Sequence, residues 1–114
     1  MKSQIFTDLI EIARGRYGID VRMSRSRKRE FVDIRCAVAN CMKRAYSISI
    51  SDIARLFDMH HTTILHHLED HAGRYRYYDD YAKLYDTMVN HVLSKSELIS
   101  LDKMQALMES AFAV

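Results

Sequence analysis

The chain contains no proline, and only three of its 114 residues are glycine. These two residues mark most tight turns, so their scarcity leaves few positions where successive strands could reverse direction. Strong helix formers are abundant, and an all-α protein is therefore predicted. A chain of this length can bury a core without disulfides or a structural metal.

Long apolar runs and catalytic motifs are also missing. No stretch approaches the length of a membrane-spanning helix, and Asp8 and Glu11 break the N-terminal segment, so no signal peptide or anchor is predicted. The two cysteines, Cys36 and Cys41, lie five residues apart in a predicted helix and are expected to be reduced thiols of a cytoplasmic protein. Without a phosphate-binding loop, a nucleophile motif or a catalytic carboxylate pair, neither an enzyme nor a cofactor is predicted.

Charge is distributed unevenly although the net charge is only +2. Residues 14–55 hold eleven Lys or Arg against four Asp or Glu, whereas residues 56–114 hold five against nine. This asymmetry suggests that the first half meets a polyanion and that the second half faces solvent or a protein.

The pattern most informative about function lies in residues 51–68. Two apolar groups with helical spacing flank a short polar break at residues 58–60; they are Ile53, Leu56, Phe57 and Ile64, Leu65, Leu68. Ser51 is suited to cap a first short helix, and a second helix is predicted to begin near His61 with two threonines in its first turn. The pattern predicts a helix-turn-helix, in which the start of the second helix meets base edges in the major groove.

Residues 22–29 place five cations in eight positions with no acid, which predicts an exposed loop. Such a run can be a solvated connector without a specific partner. Because it precedes the predicted helix-turn-helix, we interpret it as an arm that contacts phosphates or enters the minor groove, with Arg25, Arg27, Lys28 and Arg29 as the contacting side chains.

The remaining apolar spacing predicts helices over residues 3–16, 30–45 and 74–93. Gly18 is expected to stop the first helix and Gly73 the second helix of the motif. In the 30–45 helix, the polar side chains expected to face solvent are Asp33, Arg35, Asn40, Lys43 and Arg44. Residues 47–51 are expected to form a connector that buries Ile48 or Ile50. Residues 94–114 are predicted to add a last helix that packs on the 1–93 domain or on a partner protein.

Tyrosines and histidines cluster in the second half. The helical spacing of Tyr77, Tyr81 and Tyr85 favours packing on the core with the hydroxyls at the surface, although the mixture of tyrosine and arginine near residue 75 could also stack on bases. Five of the six histidines fall within residues 60–71. His67 and His71 have a chelating spacing, but no third ligand is implied, so no metal is predicted and the imidazoles are expected to face DNA or solvent.

The run His61-Thr62-Thr63-Ile64-Leu65-His66, preceded by Ser51-Asp52-Ile53-Ala54-Arg55-Leu56-Phe57, resembles the C-terminal, Trp-repressor-like DNA-binding domain of the bacterial replication initiator DnaA. The resemblance extends over roughly residues 3–90. It implies that His61, Thr62 and Thr63 read the major groove and that Arg27 enters the minor groove. It also implies contacts to the DNA backbone from Arg29, Arg35 and Lys43, and a further contact from His66.

Two departures from that family matter. His60, which is also predicted to contact DNA, stands where the family has an acidic side chain that caps the helix and can accept a cytosine amino proton, so a different target sequence is expected. The initiator's nucleotide-binding module is absent from the 114 residues. The sequence thus predicts sequence-specific binding of double-stranded DNA in replication or transcription control, of the kind encoded by phages and mobile elements. The alternative is a module that binds a replication or host protein through its acidic half.

Overall fold

The computed structural model of the protein describes residues 2–95, and the fold of this part is all-α, as predicted. Its five helices are α1 (Lys2–Tyr17), α2 (Arg29–Tyr46), α3 (Ile50–Phe57), α4 (His61–Tyr77) and α5 (Asp79–Lys95), with one 3₁₀ turn at Val21–Met23. None of the helices described is long and apolar enough to cross a membrane. The last helix predicted for residues 94–114 cannot be compared with the structure, since residues 96–114 are outside the described part of the chain.

Helix α1 ends where the sequence indicated. Gly18 adopts a left-handed conformation with a φ of 68°, and its N–H donates to the Arg14 carbonyl at 2.8 Å. Because L side chains rarely adopt this conformation, the glycine suits the stop. The predicted basic loop of residues 22–29 overlaps the 3₁₀ turn at its start and the first residue of α2 at its end, and residues 24–28 between them lie outside any helix.

Helix α2 is the centre of the bundle, since it packs against each of the other four helices. Every residue from 33 to 42 is buried, including Asp33, Arg35 and Asn40. The prediction that these three side chains face solvent was wrong. Their polar groups find partners in neighbouring segments: for example, Asp33 accepts a hydrogen bond of 2.6 Å from Arg74. A helix surrounded on all sides cannot keep a solvent face, and its buried polar groups must be paired.

Both cysteines of α2 are free thiols, as the sequence predicted, and both are buried. Burial raises the pKa of Cys36 to about 11 and that of Cys41 to about 12. The two thiols therefore stay protonated at neutral pH and serve as small core residues.

The connector between α2 and α3 buries Ile48, as expected, but α3 begins earlier than predicted. Ser49, not Ser51, caps the helix, because its Oγ accepts a hydrogen bond of 3.2 Å from the Asp52 N–H. Helix α3 therefore starts at Ile50. Ser47, in the left-handed region with a φ of 55°, ends α2, so the connector consists of residues 47–49 only.

Helix α4 continues through Gly73 to Tyr77, so the prediction that Gly73 ends it was wrong. The break falls at Tyr78, which is extended, and α5 starts directly with Asp79 and Asp80 in its first turn, where acidic side chains are favourable. Packing against α2 and α5 outweighs the modest cost of one glycine inside a helix. Tyr77 consequently lies at the end of α4 with 74% of its surface exposed, not on the apolar face of α5.

Candidate nucleic-acid interface

Three residues join α3 to α4. Asp58 takes a left-handed conformation with a φ of 54° and ends α3, while the Met59 N–H donates to the Ala54 carbonyl at 2.9 Å. His60 is extended, and its Nδ1 accepts a hydrogen bond of 3.2 Å from the Thr62 N–H. Asp side chains tolerate the left-handed region, so no glycine is needed at this turn. The predicted polar break at residues 58–60 and the start of α4 at His61 are both confirmed.

The first turns of α4 present polar side chains outward. His60, His61, Thr62 and His66 are exposed and Thr63 is half-buried. The rings of His60 and His61 stack with centroids 4.4 Å apart. This face therefore presents hydroxyl and imidazole groups at the surface of the protein.

The same turns of α4 pack their other face on the core. Ile64 is fully buried and His67 is 8% exposed. The spacing of three residues between them keeps one face of the helix inward throughout. The exposed polar face is thus held in place by a rigid helix.

Arg25 connects the basic loop to the turn between α3 and α4. One terminal nitrogen of its guanidinium donates to the Asp58 carboxylate at 2.9 Å and the other to the Asp58 carbonyl at 3.2 Å. Arg25 and Asp58 are 33 residues apart in sequence, and their contact brings the loop beside the turn that leads into α4. Arg27 and Lys28, which follow in the loop, are exposed.

Arg35 does not present its charge at the surface. It is 4% exposed, and its two terminal nitrogens each donate a hydrogen bond of 2.6 Å to a loop carbonyl, those of Ser24 and Ser26. Burial, with a smaller contribution from nearby Arg25, lowers the pKa of Arg35, yet a guanidinium keeps its proton in proteins. The expected contact of Arg35 with the DNA backbone does not fit this burial. Arg35 instead holds the backbone of the basic loop on α2.

Arg29, at the other end of the loop, is half-exposed and already has partners. It forms an ion pair of 2.7 Å with Asp80 and one of 3.4 Å with Asp33, and its guanidinium lies 3.9 Å from the centre of the Tyr78 ring. Together with Arg25 and Arg35, it ties the loop to α3, α2 and α5. The cations of the loop that project without such ties are Arg27 and Lys28.

Lys43 is exposed but lies in the last turn of α2, at the opposite end of that helix from the loop. The 15 residues from Lys28 to Lys43 correspond to about 22 Å of helix. The structure therefore does not bring Lys43 together with the loop cations.

Two of the clustered histidines are core residues, contrary to expectation. His71 is fully buried, and its Nδ1 lies 2.6 Å from the Tyr81 hydroxyl, which in turn lies 3.5 Å from Cys36 Sγ. The His67 carbonyl accepts hydrogen bonds of 3.0 Å from Cys36 Sγ and Asn40 Nδ2. The Tyr81 hydroxyl thus lies inside this network, and the prediction that it lies at the surface was wrong.

The environment of these two histidines also sets their charge. Burial lowers the pKa of His67 to about 4, with Arg74 contributing next, and burial lowers the pKa of His71 to about 4 as well. Both imidazoles are neutral at pH 7. The sequence contained a signal for this, since Ile64, His67 and His71 follow one another at spacings of three and four residues.

The partners of the loop could not have been found from the sequence. Asp58 is 33 residues from Arg25, and Asp80 is 51 residues from Arg29. No local pattern marks either carboxylate as an anchor. Among residues 2–94, no three His, Cys, Asp or Glu side chains come together as a metal site.

Comparisons of the chain with protein-family models, curated proteins and solved structures gave no match.

Proposed function

We propose that the protein binds double-stranded DNA, with α3 and α4 acting as a helix-turn-helix and the basic loop contacting the neighbouring backbone or minor groove. The observation that carries the proposal is the pair of hydrogen bonds from Arg25 to Asp58, at 2.9 and 3.2 Å. They put the most basic segment of the chain beside the exposed start of α4. One duplex can therefore meet both elements at the same time.

The side chains on this surface have the chemistry that DNA requires. Thr62 offers a hydroxyl for a base edge and a methyl group for the methyl of thymine, and His61 and His66 offer imidazole nitrogens. Arg27 is exposed on a loop whose backbone is fixed by Arg35, which suits insertion into a narrow minor groove of high negative potential.

The resemblance to the DNA-binding domain of the replication initiator supports the same assignment. It favours a role in replication control or transcription regulation on the cytoplasmic DNA of a bacterium or an infecting phage. The resemblance concerns only the DNA-binding domain of the initiator, so DNA binding is the activity proposed for these 114 residues.

The test is a selection from a random pool of duplexes with the purified protein, followed by affinity measurements on the enriched and on a random duplex. We expect Thr62→Ala to cost about 1 to 3 kcal/mol on the enriched duplex and much less on the random one. Thr87→Ala is the matched control, since Thr87 is an exposed threonine on α5 whose hydroxyl donates to the Lys83 carbonyl.

Arg27→Ala should weaken binding to both duplexes, because the negative potential that its guanidinium meets at the backbone or in the minor groove is present on every duplex. Arg76→Ala removes an exposed arginine at the far end of α4 and should change affinity little. Equal losses on both duplexes for Thr62→Ala would contradict the placement of α4 in the major groove. An absence of binding at low salt would contradict the proposal as a whole and favour a protein partner.

A further inference from the structure

The side chain of His60 has one ring nitrogen committed to α4 and the other left over. Nδ1 accepts the Thr62 N–H at 3.2 Å and so caps the helix. The residue is exposed, and its ring stacks on that of His61 at a centroid distance of 4.4 Å and an angle of 30° between the rings. The cap and the stacked ring together restrict the orientation of the imidazole.

This cap determines which nitrogen carries hydrogen. An imidazole nitrogen accepts a hydrogen bond only with its lone pair, so Nδ1 must be unprotonated here. The hydrogen of the neutral ring then lies on Nε2, because the bond made by one nitrogen fixes the state of the other. Nε2–H is therefore a donor on the exposed side chain that immediately precedes α4.

We propose that His60 is a specificity-determining residue that reads a hydrogen-bond acceptor in the major groove through Nε2–H. The inference rests on the proposed function and adds the class of base edge that the site takes. Acceptors in the major groove are guanine N7 and O6, adenine N7 and thymine O4, whereas cytosine presents an amino donor. A donor fixed at this position disfavours cytosine and favours guanine or thymine.

Three properties of His60 separate this role from capping alone. A cap needs only one acceptor atom, which serine, threonine, aspartate or asparagine supplies with a shorter side chain. The imidazole provides a second polar atom on the opposite side of the ring. The neighbours Thr62 and His61 are exposed as well, and the His60 ring stacks on that of His61, so the imidazole of His60 belongs to the same exposed face as the other proposed base contacts.

The test compares the base preferences of the wild-type protein, His60→Asp and His60→Ser in the same duplex selection. Aspartate and serine both cap helices well, so all three proteins keep the start of α4. Aspartate reverses the polarity from donor to acceptor, and serine caps without the reach of the imidazole. Thermal unfolding of the three proteins is measured alongside to verify that the fold is retained.

We expect one position of the selected sequence to change from guanine or thymine with the wild-type protein to cytosine or adenine with His60→Asp. The change in relative affinity at that position should be about 10-fold or more, the range of a good side-chain contact to a base. His60→Ser should lose the preference at this position while the rest of the selected sequence stays the same. Unchanged preferences in both variants would overturn the inference while leaving the proposed function intact.

A second measurement needs no DNA. Long-range ¹H–¹⁵N correlation spectra of the free protein report which nitrogen of each histidine is protonated, and we expect the Nε2–H form for His60. Observation of the Nδ1–H form would overturn the inference even if DNA is bound. If the wild-type protein binds no duplex, the proposed function fails and the reading role of His60 fails with it.

Discussion

The two faces of α4 use the same residue type in opposite ways. His61 and His66 are exposed on one face, whereas His67 and His71 are buried on the other. His66 and His67 are adjacent in sequence, yet one meets solvent and the other is held at a pKa of about 4 by burial. The position of a residue around the helix, and not its type, decides its role here.

The two faces of α4 are also stabilised by different kinds of contact. The inner face contributes to a buried network that links His71, Tyr81 and Cys36, where each polar group is removed from water. The outer face is bordered by an exposed pair, Arg25 with Asp58, whose side chains are 70% and 93% exposed. Exposed ion pairs contribute little to stability, so the outer face can exchange partners at low cost. Changes to the inner face should therefore affect folding and changes to the outer face binding.

The largest effect is expected from Ile64→Ala, at a position that is fully buried. Loss of the side chain leaves a cavity in a packed core and should destabilise the protein by about 2 to 5 kcal/mol. The neighbouring Leu65 is 41% exposed, so Leu65→Ala should cost much less. Urea unfolding of both variants measures the difference. Similar losses for the two would mean that α4 is rotated relative to the face described.

A pH titration of stability is expected to separate the buried from the exposed histidines. The ordinary pKa of histidine is about 6.5, and burial lowers that of His71 to about 4. Because the unfolded chain binds the proton more tightly, the stabilisation is complete above about pH 6.5 and is lost as the pH falls toward 4. His67 should behave in the same way.

His71→Phe tests this directly, since phenylalanine fills a similar space without titrating. Between pH 7 and pH 4.5 the variant should lose about 2 kcal/mol less free energy of unfolding than the wild-type protein. Its stability at pH 7 is compared separately, because the Tyr81 hydroxyl loses its partner Nδ1. His66→Phe, on the exposed face, is the control for the introduction of a phenylalanine ring into α4. Because His67 remains in His71→Phe, part of the loss should persist, and a loss as large as that of the wild-type protein would mean that His71 is not one of the titrating groups.

The helices were predictable from the sequence because apolar spacing and caps are local signals. The start of α4 at His61 and the stop at Gly18 follow from residues within a turn of each other. The wrong predictions concern features that depend on residues distant in the sequence. The burial of Arg35 depends on the loop that folds over it, and the passage of α4 through Gly73 depends on packing against α2 and α5. A helical segment that is enclosed on all sides, as residues 33–42 of α2 are, gives no solvent face from which its polar positions could be read.

Local signals in the sequence also predict some features of the candidate interface, whereas contacts between distant segments are not predicted. The exposure of His61 and Thr62 follows from the helical position of Ile64. The anchoring of the basic loop by Asp58 and Asp80 joins segments 33 and 51 residues apart, which no local pattern encodes. The sequence thus indicated the exposure of His61 and Thr62, but neither the burial of Arg35 nor the contacts that hold the loop in place.

The smallest expected effect is a difference between Arg27→Gln and Arg35→Gln in the salt dependence of DNA binding. The slope of log K against log salt is negative, and the loss of one phosphate contact reduces its magnitude by about 0.9. Arg27→Gln should therefore reduce the magnitude of the slope by about that amount. Arg35→Gln removes the same charge from a side chain that donates to the Ser24 and Ser26 carbonyls, so it should weaken binding by about 10-fold or less with an unchanged slope.

Affinities at four or more salt concentrations on one duplex give both slopes, and thermal unfolding of the Arg35 variant verifies that helix α2 is still formed. A variant that retains the fold and shows a reduced slope would mean that the Arg35 guanidinium leaves the loop carbonyls and reaches a phosphate in the complex. An unchanged slope with weakened binding would mean that Arg35 acts through the shape of the loop. The two arginines would then divide the interface between them, one fixing the backbone of the loop and the other meeting the DNA.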